Sequence, residues 1–381
     1  MRTMSAPTGI DFAGEGLLDG LEGADREARL GLLEDLAADG VPLAELRQAI
    51  QQNRLALLPV ERVLSGDGPR YLPREVAELA EVDLDLLQNL YRALGLPRVD
   101  PGEAGLDSHD LQSARRLRRF REAGIADSDI LDMSRVMGMA MASIAEGMRE
   151  VLARTLINPG DSERDLALRF AMSARILGPE IGDLLQYVLN RHIRDQVHRD
   201  VIAAGGRFGP GSGETEVGVC FADLVGFTKL GERLPGEELG RVAGRLADMA
   251  SAAAQPPVRL IKLIGDAAML VSPDGAGLLE SALSLVEMAE EEGEDFPQVR
   301  AGVAAGEAIG KGGDWYGRPV NLASRITDVA RPGSVLASES VREMAGEEFA
   351  YSFAGERRLK GIESRLRLYR VRRRAEGDDV S

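Results

Sequence analysis

A chain of 381 residues is long enough for two or three domains, each with a core of its own. Hydrophobic residues make up 44% and aromatics 4%, so aliphatic and alanine packing dominates, and a net charge of −16 argues against a general binder of nucleic acid or anionic membrane. The lone Cys220 excludes an intramolecular disulfide framework, no run of about 18 apolar residues suggests a spanning helix, and Asp11, Glu15, Asp19, Glu22 and Asp25 replace the apolar core of an export signal, which points to the cytoplasm.

Residues 1–204 read as one helical domain. Helix signals cover 27–38, 43–52, 74–80, 84–94, 108–123, 128–156 and 163–176, and a last long segment runs from about 179 to 204. Gly and Pro punctuate them at 40–42, 66–69, 95–97 and 158–160. Residues 71–97 have the look of a helix-turn-helix pair and resemble the opening of winged-helix regulators, so a DNA-binding regulator is one alternative reading. A plain helix-packing unit is the other. Asp83 and Asp85 oppose DNA, because they put negative charge where a recognition helix would meet phosphates.

Arg115, Arg116, Arg118, Arg119 and Arg121 form a basic run, read either as a solvated face or as a dock for acidic surface elsewhere in the chain. Met133, Met137, Met141, Ile144, Met148 and Leu152 recur at helical spacing. They suggest a core or dimer seam, or an adaptable pocket for an apolar ligand. His192 and His198 are either ordinary surface residues or a proton-responsive pair, since histidine titrates near neutral pH. The glycine-rich stretch 205–213 is the clearest linker, and 375–381 reads as an acidic tail.

After the linker, strand-like runs alternate with helices over 214–374, the pattern of an α/β or α+β domain. The apolar run Val217-Gly218-Val219-Cys220-Phe221-Ala222 reads as a buried strand, with Cys220 a small hydrophobe within it. Asp223 follows at its end, and Gly226, Phe227 and Thr228 open a helix whose unpaired N–H groups suit a phosphate. Asp266 sits at the tip of a predicted hairpin between two apolar runs. Two carboxylates beside a phosphate-ready backbone suggest a two-metal phosphoryl-transfer site, with the Leu224 carbonyl assisting and Mg²⁺ or Mn²⁺ as the hard cations that oxygen donors prefer. Further on, Pro319 starts a helix on which Asn321 and Arg325 stand four residues apart on one face. An amide and a guanidinium pointing the same way suit a pentavalent phosphorus better than a core.

With these motifs in order, residues from about 214 to 372 resemble the catalytic domain of the class III adenylyl and guanylyl cyclases. The resemblance implies an α+β chain, an all-helical N-terminal domain followed by a ferredoxin-like βαββαβ domain. It implies conversion of ATP to 3′,5′-cyclic AMP and pyrophosphate with two divalent ions per site. Asp223 and Asp266 would hold metal, Asn321 would orient the ribose and Arg325 would stabilise charge on the α-phosphate. By the same resemblance Arg300 and Lys360 face the terminal phosphates, and Lys262 with Asp314 reads the base. Lysine donates to adenine N1 and the carboxylate accepts from N6, whereas guanine mismatches both, so the pair favours adenylyl over guanylyl cyclase as the alternative. The family further implies a homodimer with two composite sites, each taking metal aspartates from one subunit and Lys262, Asp314, Asn321 and Arg325 from the other. The helical region resembles, more loosely, the autoinhibitory domains of some actinobacterial cyclases, with an apolar ligand or a proton among the candidate inputs.

Overall fold

The computed structural model describes residues 9–65, 68–203, 214–362 and 365–374, the side chains of 199–203 excepted. The chain divides into two units, Met1–Gly209 and Pro210–Ser381. The expected linker 205–213 and the acidic tail 375–381 lie outside the described residues.

The first unit is helical. It comprises α1 (Gly23–Ala38), α2 (Leu43–Gln51), a 3-10 turn at Leu55–Leu57, α3 (Leu58–Ser65), α4 (Pro73–Ala80), α5 (Leu84–Ala93), α6 (Ser108–Glu122), α7 (Asp127–Leu156) and α8 (Glu163–Ala203). Two elements differ from expectation. The 3-10 turn and α3 have no counterpart in the sequence reading. Pro59 falls in the first turn of α3, where a missing N–H costs nothing. The two segments expected on either side of Pro179 form one helix of 41 residues, with the proline inside it. A proline removes one ladder hydrogen bond, and the helix-forming residues on both sides carry the helix across that gap.

Leu32, Leu33 and Leu36 of α1 pack with Leu46, Leu55 and Leu58, and Ala167 of α8 joins them. Arg164 of α8 donates to Asp35 of α1 at 2.9 and 2.7 Å, fastening the long helix to the same lobe. A second lobe holds α4 to α7. The helix-turn-helix-like pair spends its apolar faces here, with Val76, Ala77, Leu87, Leu86 and Leu90 all buried. Within the basic run, Arg118 pairs with Glu81 at 3.0 Å and Arg121 with Asp127 at 2.9 Å, so both neutralise local carboxylates.

The methionine row is not core within this chain. Met133 and Met137 are 49% and 46% exposed, and the buried face of α7 carries Ile130, Ser134 and Gly138 instead. A Cβ on Gly138 would lie 2.4 Å from the Leu94 carbonyl oxygen, so the close approach of α5 selects the small-residue face of α7.

The second unit runs β1 (Thr215–Leu224), α9 (Phe227–Gly231), α10 (Gly236–Ala253), β2 (Arg259–Ile264), β3 (Ala267–Ser272), α11 (Gly275–Glu291), β4 (Val299–Lys311), β5 (Asp314–Gly317), α12 (Arg318–Val329), β6 (Ser334–Ser338), α13 (Glu339–Ala345), β7 (Phe349–Arg358) and β8 (Arg365–Arg373). The sheet order is β2-β3-β1-β4-β6-β8-β7, with β5 paired to β4. Its first four strands, with α10 and α11 between them, make the expected ferredoxin-like βαββαβ arrangement. β6 then adds parallel to β4, and β7 and β8 extend the sheet antiparallel. One face is covered by α10, α11 and α13 through Leu246, Met249, Leu278, Leu285 and Val341. The other face packs on α12 through Leu322, Ala323 and Ile326. Burial on both faces explains why β1 reads as a continuous apolar run rather than an alternating one.

Candidate active site

Asp223 and Asp266 come together because β1 and β3 are antiparallel neighbours with Asp223 opposite Ala267. The Leu224 N–H donates to the Asp266 carbonyl oxygen at 3.1 Å, which closes the β2–β3 tip over the end of β1. Leu224 itself is buried and ends the strand. Gly226 adopts φ 77°, the left-handed turn that starts α9 at Phe227. The phosphate-ready backbone therefore stands directly after Asp223. The Phe227 ring packs partly into the core while Thr228 is exposed.

Arg300 lies across from Asp223 on β4. Its Nη2 and Nε donate to Asp223 Oδ2 at 2.7 and 3.1 Å, and its Nη1 donates to the Asp328 carbonyl oxygen at 3.0 Å. In this chain the expected phosphate arginine thus braces the aspartate expected to hold metal. Burial pushes the Asp223 carboxyl above the usual carboxylate range, and the negative charges of Asp266 and Asp328 push the same way. The Arg300 hydrogen bond opposes them without cancelling them. Cys220, three residues earlier, is fully buried, and that burial pushes its thiol up to about 12, which fits a packing residue and no nucleophile.

Lys262 of β2 and Asp314 of β5 form an ion pair and hydrogen bond between Nζ and Oδ2, though they are far apart in sequence. The Trp315 N–H donates to Asp314 Oδ1 at 2.8 Å, which fixes the plane of the carboxylate. Both side chains remain about one-third exposed, at 36% and 27%. Asn321 and Arg325 stand on the exposed face of α12, whose opposite face buries Leu322, Ala323 and Ile326. Arg325 Nη1 donates to Asp328 Oδ2 at 3.3 Å. Lys360 is exposed one residue beyond Leu359, which is buried in the core beneath α12. His192 and His198 are both exposed on α8, in the other unit.

Sequence reasoning missed three residues that build this site. Asp328 had a signal, its i,i+3 spacing from Arg325. Thr327 and Gly302 had none. The Thr327 hydroxyl lies 3.1 Å from the Phe221 carbonyl oxygen and 2.9 Å from that of Ala323. Gly302 leaves room for α12, since a Cβ there would sit 2.2 Å from the Thr327 nitrogen.

Divalent ions fit the donor chemistry, because Asp223, Asp266 and a strand-end carbonyl are all hard oxygen ligands. Among the described residues no group of three or more His, Cys, Asp or Glu side chains is clustered for metal.

The chain matches two family models, "Adenylate cyclase regulatory domain" over residues 10–197 and "Adenylate and Guanylate cyclase catalytic domain" over 212–373. It is 42% identical over 367 residues to a pH-sensitive adenylate cyclase of Mycobacterium tuberculosis, covering 94% of this chain and 91% of the relative. An adenylate cyclase of Streptomyces coelicolor is 32% identical over 292 residues, covering 75% of this chain and 74% of that protein. Among solved structures, the adenylyl cyclase CyaB of P. aeruginosa is similar at 23% identity and a TM-score of 0.36, over 42% of this chain and 96% of its own. The ordered motifs, the two family models and the two adenylate cyclases of Mycobacterium tuberculosis and Streptomyces coelicolor agree, and the chain belongs to the class III adenylate cyclases, a helical regulatory domain followed by a cyclase catalytic domain.

Proposed function

We propose that this adenylate cyclase works as a homodimer with two composite sites, each built from Asp223 and Asp266 of one subunit and Lys262, Asp314, Asn321 and Arg325 of the other. The observation that carries this reading is the apolar rim of the site. Leu263 and Ile264 beside Asp266, Tyr316 beside Asp314 and Val329 at the end of α12 are 44%, 50%, 58% and 41% exposed in the single chain. Large apolar side chains around polar catalytic groups are what a partner subunit would cover.

Asp223, Asp266 and the Leu224 carbonyl would hold two divalent ions, Mg²⁺ or Mn²⁺. When bound, such ions acidify the ribose 3′-hydroxyl and neutralise triphosphate charge. Arg325 then meets the charge that builds on the α-phosphate during in-line attack, and Asn321 holds the ribose so that its 3′-oxygen faces the phosphorus. Gly226, Phe227 and Thr228 offer N–H groups to the phosphates, and Arg300 and Lys360 supply cations for the leaving pyrophosphate. Lys262 and Asp314 read adenine while bound to one another. The ammonium keeps donors to spare for N1, and the carboxylate keeps lone pairs for the N6 amine.

The regulatory domain sets the activity of the catalytic pair, and inhibition is the direction favoured by the resemblance to autoinhibited cyclases. The pH sensitivity named for the relative from Mycobacterium tuberculosis makes a proton one candidate input, with His192 and His198 the residues to substitute first. An apolar ligand against the exposed methionine row is another. The absence of any helix long and apolar enough to cross a membrane, among the described residues, is consistent with work in the cytoplasm.

Complementation tests the composite site. Asp223→Ala and Arg325→Ala should each be inactive alone, and a mixture should regain activity, because one of the two sites in the heterodimer has every group intact. A mixture that demonstrably exchanges subunits and stays inactive removes the shared site.

A further inference from the structure

A single guanidinium joins the two halves of the proposed catalytic set. Arg300 grips Asp223 with two nitrogens and the Asp328 carbonyl with the third. Asp328 is the penultimate residue of α12, so this contact also caps the negative end of the helix dipole. The same last turn is held to β1 by the Thr327 hydroxyl, whose one proton is shared between the Phe221 and Ala323 carbonyls. Phe221 precedes Asp223 by two residues on the strand. Gly302 completes the joint by letting the Thr327 backbone lie directly on β4. Arg325, two residues before Thr327, is tethered to the Asp328 carboxylate. The end of β1 and the end of α12 therefore cannot move independently.

In a composite dimer this joint has a consequence for the reaction. Asp223 serves one site and Arg325 of the same chain serves the other, so each chain is a short rigid link between the two sites. We propose that Thr327 and Arg300 are positioning residues, through which occupancy at Asp223 in one site sets the placement of Arg325 and Asn321 in the other. This rests on the composite-site reading. The direction follows from charge. A triphosphate arriving beside Asp223 competes with the carboxylate for Arg300. The guanidinium then loosens its hold on the Asp328 carbonyl. The last turn of α12 loses that cap while Thr327 still follows β1, so Asp328 shifts with the strand and carries the tethered Arg325 toward the second site. Filling one site thus prepares its neighbour, and ATP saturation is positively cooperative.

The test uses full-length protein at saturating divalent metal, with calorimetric binding of a non-cyclisable ATP analogue and initial rates with ATP each measured against nucleotide concentration. Wild type should give a Hill coefficient of about 1.5, below the ceiling of two set by two sites. The Asp223→Ala with Arg325→Ala heterodimer, which has one intact site, should give a coefficient of one. Thr327→Val keeps the branched side chain and deletes only the hydroxyl tie. It should abolish cooperativity and lower kcat about threefold with KM little changed, in protein that is still dimeric, and Thr327→Ser should restore both. A general loss of structure would lower active protein without changing the shape of the saturation curve. A wild-type coefficient of one or below, beside a heterodimer that regains activity, overturns the coupling alone. A Thr327→Val enzyme with wild-type cooperativity overturns the assigned path. A heterodimer that exchanges subunits and stays inactive overturns the composite site and this coupling with it.

Discussion

Asp223 is poised between two demands, since the proposed metal role needs its charged form and it is half-buried beside two other carboxylates. Its raised pKa has a definite sign. The folded chain takes up a proton at Asp223 at higher pH than the unfolded chain does, so this group's contribution to stability is full below its unfolded pKa and is lost as pH rises through its folded pKa. Metal binding runs the opposite way, because the ion needs the deprotonated form. Affinity for Mn²⁺, titrated without ATP by electron paramagnetic resonance, should therefore fall on acidification sooner than at an ordinary aspartate. Arg300→Met removes the one group that lowers this pKa, so the acid limb should move to higher pH. A limb that stays put or moves down would contradict the assigned cause. At the base-reading pair, Lys262→Glu places an acceptor where guanine N1 carries its hydrogen and adenine N1 does not. The ratio of kcat/KM for ATP over GTP should drop by about 100-fold or more. An unchanged ratio would take Lys262 out of base recognition.

At the scale of elements, sequence reading succeeded where one physical signal acted alone. The continuous apolar run 217–222 reads as a buried strand and Gly265-Asp266 as a hairpin tip, and the structure has β1 and the β2–β3 turn there. The four-residue spacing of Asn321 and Arg325 placed both on the exposed face of α12. It failed where two signals met. Pro179 looks like the start of a separate segment, but it lies inside a helix long enough to pass it. The row from Met133 to Leu152 showed that α7 has an apolar face without showing what covers it. Packing against Leu94 then chose the face with Gly138. The joint between α12 and the sheet was invisible for a similar reason, since Gly302 looks like any strand glycine. Gly302→Ala would drive a methyl group into the Thr327 backbone, where no side-chain rotation can relieve it. Overpacking of this kind costs about 1–3 kcal/mol. Urea denaturation of the second unit should show that loss, with a fall in kcat as α12 is displaced. A substitution without effect on either would mean that the helix is not seated on β4.

At the scale of the whole chain, an exchange of information must pass between a helical unit and a catalytic one, and α8 is the last described element before the second unit begins. A bias of only about 2–3 kcal/mol between productive and unproductive catalytic pairs would change activity by one to two orders of magnitude. Full-length protein and a fragment beginning near Gly213 should therefore differ in specific activity by about that much, with the fragment higher if the domain inhibits. Equal activities at every pH, with both proteins dimeric, would refute regulation by this domain. One further property follows from the solitary thiol in β1. Cys220 is fully buried among Ala222, Val303 and Leu278, and a disulfide reagent can reach it only when the sheet breathes open. Its labelling rate is thus a spectroscopic clock for catalytic-unit opening, free of any competing signal because the chain has no second cysteine. Divalent metal with a non-cyclisable ATP analogue should slow that clock, and the factor by which it slows measures how firmly the ligands close the strand that carries Asp223.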